Sequence, residues 1–217
     1  LTPLIYVGDD ATGKYNRNIS LNIETYGWSN YDAFRTKDNL ELLEETVAVS
    51  ESLIYKMVGG KTIVDATSKG IGRDPMALRR IASVSGLNVI MGSGYYVDAS
   101  HPVDINYRSE LDLAQEIVDD ITVGIGEAAV KAGIIGEIGC SWPLTERERK
   151  VLRAAALAQQ ETGAALLVHP GRDPQSPFDI LDFLDDEGVN LERIVMCHLD
   201  RTFRSLADVL KLAASGC

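Results

Sequence analysis

From residue 38 to the end, the chain alternates amphipathic helical segments with short, almost wholly apolar β-branched runs, and this beat constrains the fold more than any other feature. The segment at 38–60 carries apolar residues at helical spacing and ends on Gly59-Gly60. The run "KTIVDATS" follows, then a helix opened by Asp74 and Pro75 and closed by Gly86, then "LNVIMGSGYY". A longer helical stretch covers about 109–131, "AGIIGEIGC" is the next strand, and 144–163 is a helix with a Thr145/Glu148 capping box and a Gly163 stop. "AALLVHPG", a helix at 176–188 with Ser176 as cap and Pro177 as first residue, "RIVMCHLD" and a last helix at 205–216 complete the series. Asn, Asp, Ser or Thr before a helix, Pro at its first position and Gly after it are the residues that satisfy or terminate helix ends.

Continuous apolar strands alternating with amphipathic helices form a parallel sheet covered by helices. Two architectures use that unit, an open doubly wound sheet and a closed (β/α)8 barrel. Asp65, Glu137, His169 and His198 all fall at or near the C-terminal ends of strands, where barrel enzymes keep their chemistry, and no GxGxxG opens the first helix. The expected fold class is therefore α/β, an incomplete (β/α)8 TIM barrel. About five βα units, strands 2 to 6 of the eight, are legible. The whole of 1–217 reads as a single partial barrel domain, with 1–37 a long loop after a missing first strand and 38–217 the βα units. On this reading the chain is the middle of a longer protein.

The net charge of −11 is spread over helices, which argues against nucleic acid and anionic membranes as partners and leaves a small-molecule substrate. No apolar run is long enough to span a bilayer and no signal pattern opens the chain, so a cytoplasmic location is expected. Cys140, Cys197 and Cys217 are in no CxxC spacing and read as reduced thiols, with Cys197 facing the helices beside Val195. The unpaired edges of a partial barrel invite association, so a homo-oligomer stays open.

Strand alternation places His198 with Met196 and Ile194, His169 with Leu167, and Glu137 with Ile135 and Gly139. If those faces point inward, three consecutive strands present a carboxylate and two imidazoles to one mouth, which is a metal-ligand set. A glutamate between "IIG" and "IG" is a costly buried charge unless paired or metal-bound. His101, in "DASHP", has no strand context and reads as structural. "GIGRDP" is explained as a helix start, and "GSGYY" only as a flexible loop.

The blocks "IIGEIGC", "LLVHPGRDP" and "IVMCHLDRT", with the stretch from "VDATSKGIGRDP" to "DASHP", resemble the phosphotriesterase-related proteins of the amidohydrolase superfamily over about 38–217. The resemblance implies a metal-dependent barrel hydrolase with a binuclear centre, usually zinc. Glu137 would be the bridging ligand, where many members have a carboxylated lysine, and His169 and His198 would be the ligands of strands five and six. Catalytic and metal assignments thus coincide on Glu137, His169 and His198. Asp200 and Arg201 are candidates to orient the imidazoles from outside. The His-x-His of strand one and the aspartate of strand eight have no match, so at most one divalent ion is well liganded here and the chain alone is expected to be a weak or inactive hydrolase. The substrate stays open among ester, phosphotriester and N-acyl amide, with an amide of a small acid favoured. A catalytically silent truncated chain, or another barrel enzyme such as an aldolase, are the competing readings, and no strand-end lysine supports the aldolase.

Overall fold

The computed structural model describes residues 20–27 and 37–217. Most of the loop expected over 1–37 lies outside them. The long elements are α1 (Glu45–Met57), β1 (Thr62–Asp65), α2 (Pro75–Ser85), β2 (Asn88–Ser93), α3 (Glu110–Thr122), β3 (Ile134–Gly139), α4 (Glu146–Thr162), β4 (Leu166–His169), α5 (Ser176–Asp186), β5 (Ile194–Met196) and α6 (Leu206–Ala213). All strand pairs are parallel and the sheet order is β1-β2-β3-β4-β5. A doubly wound sheet reverses its strand order near the middle, whereas a barrel adds each strand beside the last. The unreversed order makes this an incomplete (β/α) barrel.

The core lies between the sheet and its helical layer. Ile135, Ile138, Leu166, Val168 and Ile194 on the strands pack with Leu113 and Ile117 of α3, Val151, Leu152 and Ala155 of α4, and Ile180 and Leu184 of α5. The apolar spacing of each helix supplies the inward stripe, and alanines in α4 let it approach the sheet closely. Among the described residues, no helix is long and apolar enough to cross a membrane.

The caps behave as their residue types dictate. Asp74 accepts from Ala77 N, and the Thr145/Glu148 pair forms a capping box. Three boundaries differ from the sequence reading. The segment from 38 splits into a single helical turn, Lys37–Leu40, and α1, with Glu44 extended between them. The stretch expected as helix to about 131 ends at Thr122, because Gly124 (φ 108°) and Gly126 (φ 67°) turn the chain into a small bridge joining Ile125 and Val130. Ser176 is inside α5 rather than its cap, and its hydroxyl accepts from Gly171 N at 2.9 Å.

Candidate metal centre

The register shows how the site is aimed. Ile135 pairs with Leu166, but Ile138 pairs with Val168, so β3 carries one residue more than β4 across that interval. Such a bulge re-aims side chains. Ile135 and Ile138 both stay buried in the core, and Glu137, the extra residue's neighbour, turns to the opposite face. Glu137 therefore does not share a face with Ile135, as simple alternation implied. Two glycines permit the bulge: Gly136 has φ 118°, and a Cβ at Gly92 would collide with the Gly136 carbonyl. The Glu137 N–H donates to Ala66 O at 2.9 Å, tying the bulge to the end of β1.

His169 is the last residue of β4 and faces the same side. His198 arrives differently. Strand β5 ends at Met196, and Ile194 and Met196 are buried on the helix-covered face, so alternation would put Cys197 rather than His198 toward the site. Cys197 does reach it: its thiol contacts the Glu137 carboxylate, and burial together with that charge pushes it up to about 12. It is not packed against the helices as alternation from Val195 implied. His198 is brought in by a left-handed backbone, φ 54° and ψ 31°, at the start of the short turn Leu199–Thr202. That conformation costs a non-glycine residue on the order of 1 kcal/mol and is held by the Arg201 N–H and the Thr202 hydroxyl, both donating to His198 O.

The three side chains converge. Glu137 Oε1 is 2.8 Å from His198 Nε2, and Oε2 is 3.1 Å from His169 Nδ1. One donor atom from each residue lies within 4.8 Å of the others. Burial would raise the Glu137 carboxyl, but hydrogen bonds and charge from the two imidazoles hold it below its usual value. Burial lowers His169, assisted by Arg201 and His198 and opposed by Glu137, which favours a neutral ring. One anionic oxygen and neutral imidazole nitrogen pointed at a common centre form a donor set that suits a borderline divalent cation such as Zn2+.

Around this cluster, Arg201 Nη2 donates to His169 Nε2 at 3.0 Å and to Pro170 O at 2.9 Å. The Tyr96 hydroxyl lies 3.1–3.2 Å from the His169 nitrogens, and burial raises its ionisation well above the ordinary value. The site opens into a cavity of about 900 Å3 whose wall includes Tyr96, Trp142, Arg147, Arg172 and Arg201. Glu148, 1% exposed, fixes the two loops that form this wall: it accepts from Asp98 N at 3.1 Å, Ser141 N at 3.1 Å, Ser141 Oγ at 2.6 Å and Thr145 N at 3.1 Å.

Other expected residues fall elsewhere. Asp65 accepts from Thr67 N in its own turn. Asp200 is exposed, and no hydrogen bond among the described residues joins it to either imidazole; Arg201 alone of that pair touches a ring. His101 is buried, with Nε2 bonded to Tyr96 O at 2.7 Å. All three cysteines are free thiols. Tyr96, at the end of "GSGYY", and Trp142, whose Nε1 donates to Asp179, were not singled out beforehand. The adjacent aromatic pair after a glycine strand end was the available signal for Tyr96.

The sequence profile of the Phosphotriesterase family matches residues 19–217. The chain belongs to the phosphotriesterase family. It is 43% identical over 191 residues to the N-acetyltaurine hydrolase of Homo sapiens, covering 88% of this chain and 55% of that protein. It is 42% identical over 192 residues to a phosphotriesterase-related protein of Nematostella vectensis, again covering 88% of this chain and 55% of the relative. The chain thus spans about half the length of the curated relatives it matches. Among solved structures, a resiniferatoxin-binding protein from Rhodobacter sphaeroides superposes with a TM-score of 0.87 at 36% identity, covering 99% of this chain and 60% of that one. The phosphotriesterase homology protein from Escherichia coli gives 0.75 at 29% identity, covering 93% and 66%.

Proposed function

We propose that the protein acts as a metal-dependent hydrolase whose substrate is the N-acyl amide of a small acid, with Glu137, His169 and His198 as the ligands of one divalent cation, zinc being the favoured ion. The observation that carries this is the convergence of three metal-type donors at the mouth of a cavity large enough for a small molecule. The relatives named N-acetyltaurine hydrolase favour an amide over a phosphotriester or lactone. A bound divalent cation would supply Lewis acidity, lowering the pKa of water at the site and polarising a carbonyl.

The remaining work falls to the chain. Arg201 fixes the plane of His169, and outer partners of this kind set the orientation of a ligating ring. Tyr96, kept protonated by burial, is a hydroxyl donor beside His169 that can hydrogen-bond to an oxygen bearing negative charge. The Trp142 ring, tied to Asp179 through its Nε1, forms part of the cavity wall. In the net reaction water adds to the acyl carbon, the C–N bond breaks, and the departing amine takes up both water protons, leaving a carboxylate and an ammonium.

The test is to incubate the purified chain with zinc or manganese and N-acetyltaurine and follow acetate and taurine by NMR, beside Glu137→Gln. Slow release that is abolished by a chelator and by the substitution is expected. Release that is equal in the variant, or none with any amide, ester or phosphotriester, would refute the reading.

A further inference from the structure

The cavity wall carries three guanidinium groups in a chain whose net charge is −11, and two of the three are already engaged. Arg147 pairs with Asp98 at 2.5 Å, and Arg201 is divided between His169 and Pro170 O. The nearby carboxylates are also occupied. Glu148 is saturated by backbone and hydroxyl donors, Glu137 lies between the imidazoles, and Asp179 accepts from Trp142 Nε1 at 3.0 Å and Gln175 Nε2 at 2.9 Å. Arg172 is different: among the described residues, no hydrogen bond or ion pair engages its side chain. Its charge is nonetheless felt inside the site, where it opposes the upward push of burial on the Tyr96 hydroxyl.

The backbone that carries Arg172 is pinned. Gly171 packs so closely on Ser141 and Trp142 that a Cβ would collide with them, and its N–H donates to the buried Ser176 hydroxyl at 2.9 Å. Asp173 accepts from Gln175 N at 2.8 Å on the other side. An unpaired cation on a fixed loop at a cavity wall suits an oxyanion, because a guanidinium binds carboxylate or sulfonate through two parallel N–H donors. Two residues, Pro170 and Gly171, separate Arg172 from His169, so their Cα atoms are at most roughly 10 Å apart by chain reach. Both residues line the same cavity, so a short ligand can touch both.

We propose that Arg172 selects for an acid group in the substrate, its guanidinium binding the carboxylate or sulfonate of a short N-acyl amide whose scissile carbonyl lies at the Glu137, His169 and His198 cluster. This rests on the hydrolytic reading above for the placement of the carbonyl, and on the cavity alone for the anion subsite.

The experiment measures binding by calorimetry to the zinc-supplemented protein with three probes: N-acetyltaurine, N-acetyl-β-alanine and the neutral N-(2-hydroxyethyl)acetamide. Wild type, Arg172→Gln and Arg172→Lys are compared. Arg172 is exposed, and unchanged thermal melting would show that each variant folds. Both acids should bind wild type about tenfold or more tighter than the neutral amide, as expected for a charge-assisted pair. Arg172→Gln should erase that ratio, Arg172→Lys should keep part of it, and the neutral probe should not respond. An acid-to-neutral ratio unchanged in Arg172→Gln, or no preference for acids in wild type, overturns the inference. Loss of the ratio without hydrolysis of any amide upholds the anion site and removes the hydrolytic reading. Hydrolysis of all three amides at equal rates by wild type and Arg172→Gln does the reverse.

Discussion

Glu137 and His198 meet at 2.8 Å, Oε1 to Nε2, although neither reaches the other by regular strand geometry: one sits at a bulge and the other in a left-handed turn. Both departures aim a side chain at the same centre. Backbone irregularity of this kind is sustained only where the surroundings over-determine it. If the centre is a cation site, replacing any of its three donors should be felt there first. Zinc affinity, measured by competition with a chromophoric chelator, should fall at least about tenfold in Glu137→Gln, His169→Ala and His198→Ala, with melting in the absence of metal little changed for the exposed His198. Affinity equal to wild type in any one of them removes that residue from the ligand set.

The same geometry sets a pH dependence. Glu137 is held below its ordinary 4.5 despite burial, and burial holds His169 and His101 below their ordinary 6.5. Each group therefore binds a proton less readily folded than unfolded. The stability it contributes is fully present above the unfolded value and is lost as pH falls through the folded one. Thermal melting of the metal-free protein should be flat from about pH 8 to 7 and decline once pH drops below about 6.5, with a further loss below 4.5. A melting temperature that rises on acidification over that range would contradict the assignment.

Glycine placement gives a third expectation. At Gly92 a Cβ would strike the Gly136 carbonyl, and at Gly136 it would strike Leu167 O with φ at 118°. Either clash involves backbone, which has little freedom to yield. Gly92→Ala and Gly136→Ala should each destabilise by about 2–4 kcal/mol in urea unfolding, and any folded remainder should bind zinc more weakly than wild type. Near-neutral effects at both positions would mean that the bulge is soft.

Glu148 links packing to the cavity wall. Its Oε2 takes three donors and its Oε1 one, Asp98 N, so an amide at this position must turn its NH2 toward a donor. Glu148→Gln should cost about 2–3 kcal/mol, the scale of an unsatisfied buried donor, and should increase hydrogen exchange at Asp98 and Ser141. Wild-type exchange at both amides would show that the loops are fixed by other contacts.

These sites also show what the sequence could carry. Parallel strands and helix caps follow from local rules, since the apolar runs, Asp74-Pro75 and the Thr145/Glu148 box act over a few residues. His169 was legible because β4 is regular up to its last residue. Glu137 and His198 do lie together at the strand ends, but on the faces opposite to those that alternation gives, because a bulge and a left-handed residue depend on distant backbone packing against Gly92 and β4. Cys197 was misplaced for the same reason. Tyr96, Trp142 and Arg172 needed the tertiary arrangement, since nothing local says that loops after β2, β3 and β4 share one cavity.

The final expectation concerns how many ions the chain holds. It has three histidines, and the structure assigns a use to each: His169 and His198 face Glu137, while His101 is buried against Tyr96 O, away from any second cluster. Among the described residues, Glu137, His169 and His198 are the only group able to hold a metal through imidazole, thiol or carboxylate donors. A second zinc would have to be bound without histidine, and oxygen-only sets suit harder ions than zinc. Equilibrium dialysis followed by metal analysis should therefore give about one tightly held zinc per chain, removed by His198→Ala. With one ion, the shared activation of water implied by the family's binuclear centre is missing. Hydrolysis by this chain should accordingly be slow and should not accelerate when zinc is raised beyond one equivalent. Two tightly bound ions per chain, or a rate that climbs with the second equivalent, would show that residues outside the Glu137 cluster complete the site.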